Sequence, residues 1–170
     1  MPPILITDAA ALGPVVTVAP ATGPATVHRA LGRAVCAAGA GPASVPRLRG
    51  FVRTWARWQG LSEGTGYTAC LIVSELATNA VLHSGSRSVA VLVDLGPGGL
   101  RMVVRDRGRW LQRFEPRHSQ ADDAVRCGRG LGLVRGLVDR CVVATGPDGT
   151  VVEVLVRLEP ADLARCGTVR

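Results

Sequence analysis

Leu71-Ile72-Val73-Ser74-Glu75-Leu76-Ala77-Thr78-Asn79-Ala80-Val81-Leu82-His83 is apolar on nearly every side and yet carries a carboxylate and an amide. A stretch of this kind reads as a helix buried in a core, where an ionisable group is costly unless something engages it. Glu75 and Asn79 are four residues apart, so they project from one helical stripe, flanked there by Ile72 and Leu82. Two oxygen-bearing side chains placed this way suit a hard cation, an oriented water or the removal of a proton. They also suit a polar patch satisfied by neighbouring backbone, and the helix by itself leaves these alternatives open.

Working outward, the chain has 170 residues and 47% hydrophobic content, enough for one domain with an adequate core. No run of about 18 apolar residues marks a membrane helix. The start Met1-Pro2-Pro3-Ile4-Leu5 lacks a basic lead-in and a sustained apolar run, so no signal peptide is expected and a cytoplasmic location is. Five scattered cysteines, with no Cys-x-x-Cys pair, indicate neither zinc nor a disulfide framework. The formal charge is +7, all of the basic residues being arginine. Those arginines run from Arg29 to Arg170 with no dense block or aromatic interleaving, so direct nucleic-acid binding is not expected. A nucleic-acid role would require them to converge on one face, and the same excess also serves acidic protein partners or bound phosphate.

Residues 1–44 are rich in Pro, Ala and Gly and predict a poorly patterned extension, with a short strand at 15–18 and a weak helix around 27–38. Ser44 as a cap and Pro46 in the first turn open a helix to about Trp58, with Leu48, Phe51, Val52 and Trp55 as its apolar stripe. Residues 60–64 read as a breaker, and the helix holding Glu75 runs from about Gly66 to His83, with Gly85 placed to end it. Strands follow at 88–95 and 100–105, joined by a Gly-Pro-Gly-Gly turn. After a polar run over 107–126 come Gly128, Gly130 and Gly132, a helix over 131–138, strands at 141–145 and 150–158, and a frayed polar tail over 159–170. Helices supplied early and between strand hairpins fit a two-layer α/β sandwich with a mixed sheet covered on one face.

Two further features point to a ligand. Glycines running into a helix N-terminus offer backbone N–H groups and a positive dipole end, a place for phosphate. The lysine of a P-loop is missing and no strand leads directly into the segment, so neither a Walker site nor a Rossmann fingerprint fits. Asp106 closes a strand and Gly108 follows; a buried carboxylate there can accept a hydrogen bond from a purine amino group, with the glycine leaving room for the ring.

The order Glu75–Asn79, Asp106–Gly108, Gly128–Gly132 and Thr150 resembles the ATP-binding domain shared by histidine kinases and gyrase-type ATPases, the Bergerat-type fold, from about residue 45 to 158. Ser74-Glu75-Leu76-Ala77-Thr78-Asn79-Ala80 is similar to the Ser-Glu-Leu-x-Thr-Asn-Ala signature of the small anti-sigma-factor serine kinases. That resemblance implies ATP and magnesium (Mg2+) as cofactors, Asn79 as metal ligand and Glu75 as general base. It further implies Asp106 and Gly108 at the adenine, Gly128, Gly130, Leu131 and Gly132 at the phosphates, and Thr150 supporting the adenine. It implies a serine/threonine kinase that phosphorylates an anti-anti-sigma factor, with a sigma factor as a second partner and a homodimer as the assembly.

The sequence departs from the pattern at Trp110, where the family usually has a second glycine, and 109–127 is expected to be a lid ordered by nucleotide. A non-catalytic protein-binding module with a degenerate nucleotide pocket is the alternative. Residues 1–44 are too short and too rich in Pro and Gly for the dimerising hairpin of a histidine kinase. His28 reads as a surface residue, while His83 lies one turn past Asn79.

Overall fold

A computed structural model of the chain describes residues 5–7, 26–30, 32–96, 98–108 and 130–162. The elements are β1 (Leu5–Thr7), β2 (Thr26–Ala30), β3 (Arg33–Gly39), α1 (Ser44–Trp58), α2 (Glu63–His83), β4 (Ser88–Gly96), β5 (Gly99–Asp106), α3 (Gly130–Leu137), β6 (Arg140–Gly146) and β7 (Gly149–Val156). The strands form one seven-stranded sheet in the order β1-β6-β7-β5-β4-β3-β2. The β1–β6 pair is parallel and the other pairs are antiparallel, so the sheet is mixed as expected.

The helices lie on one face. Val89, Val91 and Val93 of β4, Leu100, Met102 and Val104 of β5, and Val152 and Val154 of β7 alternate inward in period two. They meet Leu48, Val52 and Trp55 of α1, Ile72, Leu76 and Ala80 of α2, and Val134 of α3, in one continuous core. Burying each large aliphatic there stabilises the fold by roughly 1.5–3 kcal/mol. The other face is more polar: Arg33 pairs with Asp94 and Arg101 with Glu153, both at 2.6 Å, beside a small apolar cluster of Val103, Ala144 and Val151. The two-layer sandwich is the fold.

Several local expectations need correcting. The segment expected to be a helix around 27–38 is the β2–β3 hairpin, which pairs Ala30 with Arg33 and turns through Gly32 at φ 74°. Alanine's helix propensity is a weak local bias, and the pairing of all of β3 with residues 88–94 of β4 overrides it, with Ala34 and Cys36 buried in the main core. Within residues 1–44 the segments 5–7, 26–30 and 33–39 are strands of the sheet. The expected strand at 15–18 lies outside the described residues.

At α1 the cap position belongs to Ala43. Ser44 is the first helical residue, and its hydroxyl donates to the Gly41 carbonyl at 2.6 Å. Helix α2 starts at Glu63 rather than Gly66, because Ser62 caps it by accepting the Thr65 N–H at 3.2 Å. Gly85 does lie just past its end, at φ 66°. The tail is not frayed where it is described: residues 160–162 are helical and Asp162 is fully buried. The Asp162 carboxylate accepts the Ser62 N–H and the Thr65 hydroxyl, each at 2.5 Å, and lies 3.1 Å from the Ser62 hydroxyl.

Candidate functional site

Helix α2 is the spine of the site. Ile72, Val73, Leu76, Ala77 and Ala80 are buried, whereas Glu75 and Asn79 are half-buried on the remaining stripe. Among the described residues neither the Glu75 carboxylate nor the Asn79 amide makes a hydrogen bond. Ser74 differs, since its hydroxyl is used inside the helix, donating to the Cys70 carbonyl at 2.7 Å. His83, the last residue of α2, is exposed.

The end of β5 folds back against the C-terminal end of α2. Asp106 is buried at 2% exposure and stands in register with Thr150 of β7. One Asp106 carboxylate oxygen accepts the Gly108 N–H at 2.8 Å, and the Gly108 carbonyl accepts the Thr150 hydroxyl at 3.3 Å. Three residues read from the sequence as adenine contacts are thus joined into one hydrogen-bonded corner. Gly108 is compulsory there for a steric reason: a Cβ on it would fall onto the Ser84 carbonyl just past α2. Gly149 repeats the device at φ 120°, where a Cβ would overlap the Asp106 carbonyl. Gly149 belongs to the site for this reason, and its place closing the β6–β7 turn is its signal in the sequence.

Helix α3 reaches the other part of the stripe. Gly130 is its first residue, and the backbone there approaches so closely that an added Cβ would collide with the Glu75 carboxylate. Leu131 is half-buried against the core, Val134 anchors the helix, and Gly132 faces open space. Gly128, Trp110 and the expected lid over 109–127 lie outside the described residues.

These parts suit the expected cofactors chemically. The start of α3 presents N–H groups and a positive dipole end one side chain away from Glu75. Among the described residues no cluster of three or more His, Cys, Asp or Glu could hold a metal. A hard cation at Asn79 would therefore draw most of its oxygen ligands from a phosphate chain and water, which is the habit of magnesium. Burial pushes the Cys36 and Cys141 thiols up, which makes neither a ready nucleophile. No described helix is long and apolar enough to cross a membrane.

The comparisons with known proteins agree with this architecture. Residues 39–156, from the last residue of β3 to the last of β7, match the family model of the histidine kinase-like ATPase domain, and the chain belongs to that family. Among solved structures it is similar to the RsbU and RsbW domains of Rv1364c from Mycobacterium tuberculosis, with a TM-score of 0.57 and 22% identity. That match covers 73% of this chain and 32% of the other, and it shows a shared fold. No curated protein matches the sequence.

Proposed function

We propose that the chain is an ATP-dependent serine/threonine protein kinase of the anti-sigma-factor type, which acts in the cytoplasm on an anti-anti-sigma factor and thereby regulates transcription. The observation that carries this is the close approach of Gly130, at the start of α3, to the Glu75 side chain, which leaves no space for a Cβ, on the helix whose far end abuts the Asp106–Gly108–Thr150 corner. Membership of the ATPase-domain family and the Ser74–Ala80 motif support it. A sigma factor as second partner and a homodimer follow from the same family likeness.

Bound ATP with magnesium supplies the phosphoryl group and neutralises its charge; the chain's own residues bind, orient and move a proton. Asp106 would accept a hydrogen bond from the adenine amino group, Gly108 lets the loop close onto Ser84 beside it rather than making space for the ring, and Thr150 fixes the loop. Gly128, Gly130, Leu131 and Gly132 would line the phosphates with backbone donors, and the Asn79 side-chain amide oxygen would hold the metal. Glu75 takes the proton from the acceptor hydroxyl.

The test is calorimetric titration with ATP and magnesium, paired with phosphate transfer to a candidate anti-anti-sigma protein. Glu75→Gln keeps size and hydrogen bonding but removes the base, so ATP should still bind while transfer falls about a hundred-fold to ten-thousand-fold. Asn79→Ala should weaken magnesium-dependent binding and transfer together. Absence of ATP binding at millimolar concentration sinks the kinase proposal, and wild-type transfer by Glu75→Gln removes Glu75 from the chemistry.

A further inference from the structure

Helix α1 has two sides of opposite character. Leu48, Val52, Trp55 and Ala56 are buried, whereas Arg49, Arg53 and Arg57, spaced four apart, run along the exposed side. At one turn per step the row is about 12 Å long. The helix contains no acidic residue. Among the described residues none of the three pairs with a carboxylate.

Like charges at this spacing each destabilise a helix by a few tenths of a kcal/mol. Gly50 adds about 1 kcal/mol relative to alanine, and an added methyl there would meet nothing within 4 Å. Packing inside the chain explains neither feature. On the helical wheel Gly50 falls between the arginine row and a second ridge made by Phe51, Thr54 and Trp58. A glycine between two ridges deepens the groove and lets another helix come close. At the α1–α2 turn, Trp58 and Tyr67 are 62% and 71% exposed, residue types that anchor protein interfaces.

We propose that this face of α1 docks an acidic helix of a protein partner. Its carboxylates, spaced four apart, pair with Arg49, Arg53 and Arg57, and its backbone approaches over Gly50. A nucleic acid fits less well. Arg47 adds a fourth exposed charge to α1, but the open groove over Gly50 and the exposed Trp58 beside it suit a packed helix rather than a phosphodiester backbone. A second copy of α1 is excluded by its lack of acidic residues. The surface lies on a different helix from Glu75 and Asn79 and involves no nucleotide, so its failure leaves the kinase proposal standing.

The probe is a labelled amphipathic peptide with glutamates at four-residue spacing along one stripe and leucines beside them, followed by fluorescence anisotropy on the full chain without ATP. Comparison probes are a scrambled peptide of identical composition and a short DNA duplex. The helical-register peptide should bind about ten-fold or more tighter than either, and Arg53→Glu should lower its affinity at least as much. Gly50→Gln improves helix propensity and should leave the melting temperature unchanged or raised, yet it fills the groove and should weaken the peptide about ten-fold. Equal binding of the scrambled peptide or the DNA would overturn the proposal, as would full affinity in Gly50→Gln.

Discussion

The two ends of helix α2 are held by chain from elsewhere in the sequence, but by opposite means. At the N-terminal end a buried carboxylate from the tail, Asp162, gathers the Ser62 N–H and the Thr65 hydroxyl. At the C-terminal end the loop after β5 presses Gly108 onto the Ser84 carbonyl, with no room for a side chain. The first is a hydrogen-bonded clamp, which weakens by degrees as partners are removed. The second is a steric fit of backbone on backbone, which fails as soon as any atom is added. Only the steric end adjoins Asp106 and Thr150, so stability and ligand binding should separate along this one helix.

The largest effect is expected at the steric end. Gly108→Ala places a Cβ on backbone that has no flexible side chain to yield, and should cost about 3 kcal/mol or more in a urea melt. That is a large share of the roughly 5–15 kcal/mol that holds a domain folded. Gly136→Ala is the contrast, an exposed helical glycine with nothing within 4 Å, where the same substitution should stabilise by about 1 kcal/mol. If both variants melt with the wild type, the close approach at Ser84 is not a constraint and the distinction between the two ends collapses.

At the clamped end, Asp162→Ala leaves a buried Thr65 hydroxyl and a helix-end N–H without their acceptor, a loss of about 2–3 kcal/mol. Hydrogen exchange should quicken in the first turn of α2, and nucleotide affinity should change by less than about two-fold because no proposed contact is touched. Asp106→Asn should do the reverse. Removing one charge-assisted hydrogen bond to the adenine is expected to weaken ATP about ten-fold to a hundred-fold, with a smaller change in melting. A pattern in which both substitutions lower ATP affinity alike would show that the whole helix, and not its C-terminal corner, sets binding.

The sequence made one end of α2 far more legible than the other. Asp106 and Gly108 stand at a strand end and a tight turn, where local signals of composition and turn type are strong, while Thr150 comes from the family resemblance alone. The apolar helix itself and both long hairpins were equally plain, because period two and nearly all-round burial are visible in a short window. Asp162 lies 97 residues from Thr65 in a segment with no period, so nothing local announced it. The same gap moved the start of α2, since residues 60–64 read as a breaker until the Ser62 cap and its distant carboxylate are seen together. The β2–β3 hairpin is hidden for a related reason: its alanines carry a helix preference, and β3 exists through its pairing with β4.

The smallest effect tests whether the clamp acts as a unit. Ser62 serves α2 in two ways, its hydroxyl accepting the Thr65 N–H at 3.2 Å while its N–H donates to Asp162. Ser62→Ala removes the hydroxyl and keeps the N–H, so the Asp162 carboxylate retains two of its donors. A helix cap of this type contributes about 1 kcal/mol. Because the Ser62 hydroxyl, the Thr65 hydroxyl and the carboxylate share one small network, the loss should depend on whether Asp162 is present. Urea melts of the two single variants and of the Ser62→Ala, Asp162→Ala double variant give the coupling directly. We expect the double variant to be more stable than the sum of the single losses predicts, by about 0.5 kcal/mol or more. Strict additivity would mean that the serine and the tail hold the helix independently, and the N-terminal end would then be an ordinary cap with a carboxylate packed beside it.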